Sequence, residues 1–255
     1  TYLQPIKIKN SGLTYAENAI QRINNSSEKI AAFIAEPIVG CGGQVPLASG
    51  YLKSVYTAIR NQGGLCISDE VQTGFGRLGD VFWGFEQHNV VPDIVILGKP
   101  MGNGHPMAAV VTSDEIANAF DNGMEFFSSF GGNPVSCAVG QAVLDVVQDE
   151  KLQHNAKKIG DYYLEQLREL QLKNECIGDV RGSGLFIGFE FVKNRFTKEP
   201  DTELAQKVKN ELRNQHILVG TDGPYDNVIK SKPPLCFSRE NVDQVVGAVE
   251  RILTE

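Results

Sequence analysis

GLCISDEVQTGFGR (64–77) opens with a compact apolar run and stops at two acidic residues, Asp69 and Glu70. A glycine-rich turn follows at once, with Gln72 three residues past Asp69. A short apolar run bounded by glycine reads as a buried strand. The same pattern recurs on both sides. Upstream, AAFIA (31–35) ends at Glu36-Pro37, and residues 51–62 read as a helix closed by Gly63-Gly64. Downstream, DIVILG (93–98) ends at Lys99-Pro100, PMAAVV (106–111) follows, and Ser113-Asp114 opens a short helix. Buried strands separated by helices predict an α/β sheet. Ligands of such sheets gather beyond the C-terminal ends of the strands. Glu36, Asp69 and Lys99 each stand just past a run, which makes them candidates for one site.

Further out, Asn133-Pro134 opens a long helical stretch with Val135, Ala138, Val139, Ala142, Val143, Val146 and Val147 at helical spacing. A second helix carries Leu152, Ala156, Ile159, Tyr163, Leu167 and Leu170 on one face. The pattern then changes. GSGLFIGFEFV (182–192) reads as one strand, 202–213 as a helix, HILVG (216–220) and NVIK (227–230) as short strands, and 239–253 as a closing helix capped by Ser238. These predict a smaller α+β domain, with residues 1–150 in a large domain and 151–255 in the small one. Residues 1–15 show no clear pattern and resemble a cut edge.

The chain has 255 residues, 42% of them hydrophobic, enough apolar surface to offset the entropy of ordering and so to exclude a disordered chain. No apolar run approaches the roughly 18 residues of a membrane span, so no membrane partner is expected. The net charge is −7, and Lys and Arg form no stripe, which argues against nucleic acid. The five cysteines, Cys41, Cys66, Cys137, Cys176 and Cys236, are odd in number and widely spaced. They predict free thiols in a reducing compartment, taken as the cytoplasm, and no zinc site. His88, His105, His154 and His216 carry no ligand spacing, so no metal is expected.

In GKPMGNGHP (98–106), Lys99 stands at the mouth of a Gly/Pro-rich turn that leaves room for a ligand beside the backbone. A lysine at the end of an apolar strand is partly desolvated, which favours its amine as a nucleophile. A nearby aspartate holds a cationic ring nitrogen protonated. Lysine plus aspartate is the pair a pyridoxal 5'-phosphate site requires.

DEVQTGFGR (69–77), Lys99 thirty residues after Asp69, and SSFGGNP (128–134), in that order, resemble the class-III aminotransferases, fold-type-I pyridoxal phosphate enzymes. AAFIAE, CGGQ (41–44), GKPMGNGHP, GGNPVSCAVG (131–140) and KPPLCF (232–237) side with the members that act as phospho-lyases on ethanolamine phosphate or phosphohydroxylysine. The resemblance runs from about Tyr15 to the end. It implies the C-terminal part of the large cofactor-binding domain followed by the small domain, with the family's phosphate-cradling Gly/Ser loop and ring-stacking aromatic lying upstream. It implies that Lys99 holds the cofactor covalently and then moves the proton at the substrate's α-carbon. Asp69 would face the ring nitrogen, Val71 the ring, and Gln72 the ring hydroxyl, with Glu36 close by. Ser129 stands where the family usually has a threonine that contacts the cofactor phosphate of the neighbouring subunit, which implies a homodimer with shared sites.

Two positions depart from the family's transaminases, which often carry a Glu at the position of Cys41 and an Arg at that of Lys230. Together those grip or release a substrate α-carboxylate. Arginine offers a two-pronged planar fork, and lysine only a point charge. The double departure suits an amine substrate whose anion is a phosphate and makes Cys41 and Lys230 candidate substrate-binding residues. The expected activity is phospho-lyase elimination. The alternatives are amino transfer to a keto acid, or a truncated dimerising module without catalysis. The chain alone is expected to turn over little.

Overall fold

The computed structural model describes residues 11–254. In chain order the elements are α1 (Ser11–Asn24), β1 (Ala32–Ala35), β2 (Ile38–Val39), β3 (Val45–Pro46), α2 (Tyr51–Asn61), β4 (Leu65–Asp69), β5 (Ile94–Leu97), β6 (Ala109–Thr112), α3 (Asp114–Phe120), α4 (Pro134–Asp149), α5 (Leu152–Lys173), β7 (Ile177–Ser183), β8 (Phe186–Asn194), β9 (Glu199–Pro200), α6 (Thr202–Asn214), β10 (Gly220–Asp222), β11 (Val228–Ser231) and α7 (Arg239–Thr254). They divide into two compact units. One holds the residues up to Pro37, Leu47–Gly74 and Trp83–Asp145; the other holds Ile38–Pro46, Phe75–Phe82 and everything from Val146. The second unit is therefore discontinuous, where the sequence suggests a single crossing near 150.

In the first unit the strand order is β1-β4-β5-β6. β1, β4 and β5 run parallel, in register through Ala35↔Ser68 and Asp69↔Ile96, and β6 is antiparallel to β5. The parallel pair β1–β4 needs a long crossover, which α2 supplies. Leu52, Val55, Tyr56 and Ile59 recur on one face of α2 and form a core with Ala16 and Cys66. The patternless reading of 1–15 falls partly on residues outside those described, and it missed α1, which begins at Ser11. Ala16, Ala19, Ile20 and Ile23 give α1 its buried stripe. A Cβ on Gly12 would lie 1.8 Å from the Ser49 carbonyl oxygen, so only glycine lets α1 approach that loop. The strands are less buried than expected: Ile34 in β1 is 55% exposed and Val110 in β6 is 67% exposed. The described residues leave both edge strands partly uncovered.

The second unit has an antiparallel sheet, β10-β11-β8-β7, with β9 beside β8. Helices α5, α6 and α7 pack against it around Tyr163, Leu167, Phe189, Phe191, Val208 and Val249, all buried. The stretch 182–192, expected as one strand, is the end of β7, a turn and most of β8. Ser183 pairs with Phe186 across Gly184-Leu185. A two-residue loop with glycine first, here at φ 53°, is a favoured hairpin connection. The strand expected at 216–220 begins only at Gly220. His216 at φ 62° and the Ile217 N–H, bonded to the Leu212 carbonyl, instead close α6. All five cysteines are free thiols, as their spacing suggests. Among the described residues no helix is long and apolar enough to cross a membrane.

Candidate active site

The parallel strands β1, β4 and β5 end side by side, and the sequence places an ionisable group just beyond or at each end. Glu36 follows β1, Asp69 ends β4, and Lys99 lies two residues past β5. The Glu70 N–H donates to the Ile96 carbonyl at 2.9 Å, which holds the β4 exit against β5. Asp69 Oδ1 accepts the Val71 N–H at 3.0 Å, and its Oδ2 has no partner among the described residues. Gln72 Nε2 donates to Glu36 Oε2 at 3.2 Å, linking the ends of β1 and β4. A Cβ built on Gly98 would stand 3.5 Å from Val71, so the Val71 side chain lies against the backbone that leads into Lys99. Lys99 is exposed, and its ammonium makes no ion pair or hydrogen bond among the described residues. Its φ of 27° falls where non-glycine residues are strained, a feature that concentrates at functional sites. Glu36, Asp69, Val71, Gln72 and Lys99 thus share one sheet edge.

The sequence reading missed the residue that builds this edge. Glu70 is fully buried, and its carboxylate accepts four hydrogen bonds. They come from Ser68 Oγ at 3.0 Å, Thr73 Oγ1 at 2.7 Å, and the Gly84 and Phe85 N–H groups at 2.8 and 2.9 Å. A buried charge persists when its lone pairs are satisfied in this way. Two hydroxyls flanking the acid, in Ser68-x-Glu70-x-x-Thr73, were the available signal. Nearby, His88 Nε2 lies 3.1 Å from the Pro37 carbonyl, and burial holds the imidazole below its ordinary value.

Ser129 is exposed in the segment between α3 and α4. That segment is tied down where α4 begins. Asn133 donates to the Phe130 carbonyl at 2.7 Å and accepts the Ser136 N–H at 2.9 Å. His105 Nε2 meets Ser136 Oγ at 2.8 Å, which connects the turn after Lys99 to the start of α4.

Cys41 and Lys230 belong to the second unit. Cys41 is exposed on the Gly40–Gln44 turn, and its carbonyl accepts the Gly223 N–H at 3.1 Å. Lys230 lies in β11 opposite Gly220, and its ammonium pairs with Asp222 Oδ1 at 2.9 Å. Gln44 Nε2 donates to Asp222 Oδ2 at 2.7 Å. The structure therefore brings the two candidates into one hydrogen-bonded group. Arg77, which closes the DEVQTGFGR motif, donates to the carbonyls of Leu185 and Pro233, at 3.2 and 2.5 Å. Burial lowers its guanidinium to about 10.

The aminotransferase class-III family profile matches residues 3–253. The chain belongs to the class-III aminotransferases. It is 49% identical, over 99% of its length, to an alanine–glyoxylate aminotransferase 2-like protein of Drosophila melanogaster, and covers 50% of that protein. It is 44% identical, over 97% of its length, to ethanolamine-phosphate phospho-lyase homolog 1 of Caenorhabditis elegans, and covers 54% of it. A phospholyase from Arthrobacter, solved in complex with phosphoethanolamine, superposes with a TM-score of 0.90 at 39% identity, over 95% of this chain and 58% of that one. The chain thus spans about half the length of the curated relatives it matches.

Class-III aminotransferases are fold-type-I enzymes that depend on pyridoxal 5'-phosphate. The first unit's sheet edge fits that cofactor. Among the described residues it offers a lysine amine without a partner, an aspartate with one unengaged oxygen, and a valine face beside a glycine.

Proposed function

We propose that the protein carrying this sequence is a pyridoxal phosphate-dependent phospho-lyase acting on a small phosphorylated amine such as ethanolamine phosphate. The observation that carries this reading is the pair Cys41 and Lys230. The carboxylate-gripping Glu and Arg of many class-III transaminases are both replaced, and the lysine is already neutralised by Asp222. A point charge engaged in an ion pair is a poor substitute for an open guanidinium fork.

Bound pyridoxal phosphate supplies an electron sink for the carbanion formed at the substrate's α-carbon. Lys99 would hold the cofactor through its amine and, once that amine is free, would take the proton from the substrate's α-carbon. Asp69, whose Oδ2 has no partner among the described residues, would keep the ring nitrogen protonated. Val71 would support the ring, and Gln72, steadied by Glu36, would serve its hydroxyl. Phosphate leaves from the β-carbon, and water releases an aldehyde and ammonia. Ser129 serves the neighbouring subunit's site in a homodimer. Free thiols suit a reducing compartment such as the cytoplasm.

The test is phosphate release from ethanolamine phosphate with no keto acid present. Release without an acceptor supports the lyase. Turnover only with an acceptor, with the amino group passed on, refutes it in favour of a transaminase, the reading that the 49% identity to the Drosophila protein supports.

A further inference from the structure

We propose that Lys230, Asp222 and Gln44 form a strut that fixes the Gly40–Gln44 turn, so that Lys230 is a positioning residue and not the receptor for the substrate's anion. Gln44 is fully buried and sits at φ 54°, a costly conformation for a side chain of its size. Both of its amide hydrogens are spent on acceptors. Nε2 donates to the Gly40 carbonyl at 2.8 Å, across the turn, and to Asp222 Oδ2 at 2.7 Å. Its Oε1 is buried with no partner among the described residues. An amide that leaves its oxygen bare is oriented by what it donates to. The other carboxylate oxygen of Asp222 takes the Lys230 ammonium at 2.9 Å.

The lysine stem is laid across the neighbouring strand to get there. A Cβ on Gly220 would stand 2.9 Å from Lys230 Cε, so glycine at that position opens the path. The turn is also held from other sides. The Gly223 N–H binds the Cys41 carbonyl at 3.1 Å, and Arg181 Nε binds the Gly43 carbonyl at 2.8 Å. With Asp222 mostly buried and paired, the lysine and aspartate together present little net charge to an anion. Their shared product is a rigid turn that displays Cys41. The inference rests on the proposed function only in taking this turn as part of the substrate site.

Hydrogen exchange tests the strut without reference to turnover. The Gly43 and Gln44 N–H groups both bond to the Gly40 carbonyl, at 3.0 and 3.1 Å, and report the turn directly. Lys230→Met and Gln44→Leu, each checked for a native melting transition, are expected to speed their exchange about tenfold. The double variant is expected to be no faster than Gln44→Leu alone, and Lys230→Arg to restore the slow rate. Lys230 is half-exposed, so its variant keeps the test sound if Gln44→Leu fails to fold. Exchange in Lys230→Met within twofold of wild type would overturn the proposal. So would binding of inorganic phosphate that is lost in Lys230→Met while the turn stays protected. With ethanolamine phosphate, Lys230→Met is expected to lower kcat and leave KM within about twofold. A KM rise of tenfold or more with kcat intact would instead mark a receptor. Absence of any turnover in the whole wild-type protein that carries this sequence would count against the proposed function alone, because the exchange rates decide the strut.

Discussion

Lys99 and Glu70 meet opposite demands with the two signs of charge. Lys99 has no partner among the described residues and sits in a strained conformation, and Glu70 is sealed in with four donors. Borohydride reduction of the chain mixed with pyridoxal phosphate, followed by peptide mapping, is expected to label mainly Lys99. Lys99→Ala is expected to abolish that label, and labelling spread over many lysines would refute the assignment. Glu70→Gln replaces one of the two oxygens by an NH2 group, which then faces either the Gly84 or the Phe85 N–H and leaves a buried donor unmatched. The expected loss is about 2–4 kcal/mol in urea denaturation. His88 adds a dependence on pH. Burial lowers its folded value from the ordinary 6.5, so below that pH the unfolded chain takes up a proton that the folded chain resists. Stability is therefore full above about pH 6.5 and is lost as the pH falls through the folded value. Melting temperatures measured on acidification are expected to drop, with a shallower slope in His88→Gln. Asp69, Gln72 and Lys99 were legible because each follows an apolar run that fixes where it emerges. Glu70 was not, since its partners at 84–85 come together only after folding.

At the scale of elements, legibility followed periodicity and burial. The helices α2, α5, α6 and α7 carry stripes that repeat every three or four residues, and each was readable. The β7–β8 hairpin was hidden because β8 is buried through seven consecutive residues and so shows no alternation at which to break the run. Its turn is built into α5. A Cβ on Gly160 would stand 2.2 Å from the Gly184 carbonyl oxygen, and α5 and the hairpin must both be at their present places for Leu185 and Phe186 to be fully buried. Gly160→Ala places a methyl group in that contact, against the backbone of the turn, which cannot swing aside as a side chain would. The gain in helix propensity, about 1 kcal/mol, is smaller than the overpacking, and the net expected effect is a loss of about 1–2 kcal/mol. A higher melting temperature in Gly160→Ala would show that the hairpin yields more easily than its hydrogen bonds suggest.

Over the whole molecule, apolar surface is unevenly distributed. The second unit encloses Phe186, Phe189 and Phe191 completely. The first unit leaves Phe126 and Phe127 77% exposed and Phe130 86% exposed, in the same segment as Ser129. The sequence marked Phe130 as part of a motif, passed over Phe126 and Phe127, and gave no sign that the three would stay uncovered, because a residue's type reports a preference for burial without naming what buries it. Large apolar side chains left exposed in this way favour association. Sedimentation of the chain is expected to show a sedimentation coefficient that rises with concentration, and Phe126→Ser with Phe127→Ser to weaken that rise while leaving the melting temperature within a few degrees. The two outcomes belong together: side chains more than three-quarters exposed contribute little to the folded unit, so their replacement tests association and not folding. A sedimentation coefficient that stays at the monomer value at every concentration in the unaltered chain would remove the support this segment lends to a shared site at Ser129.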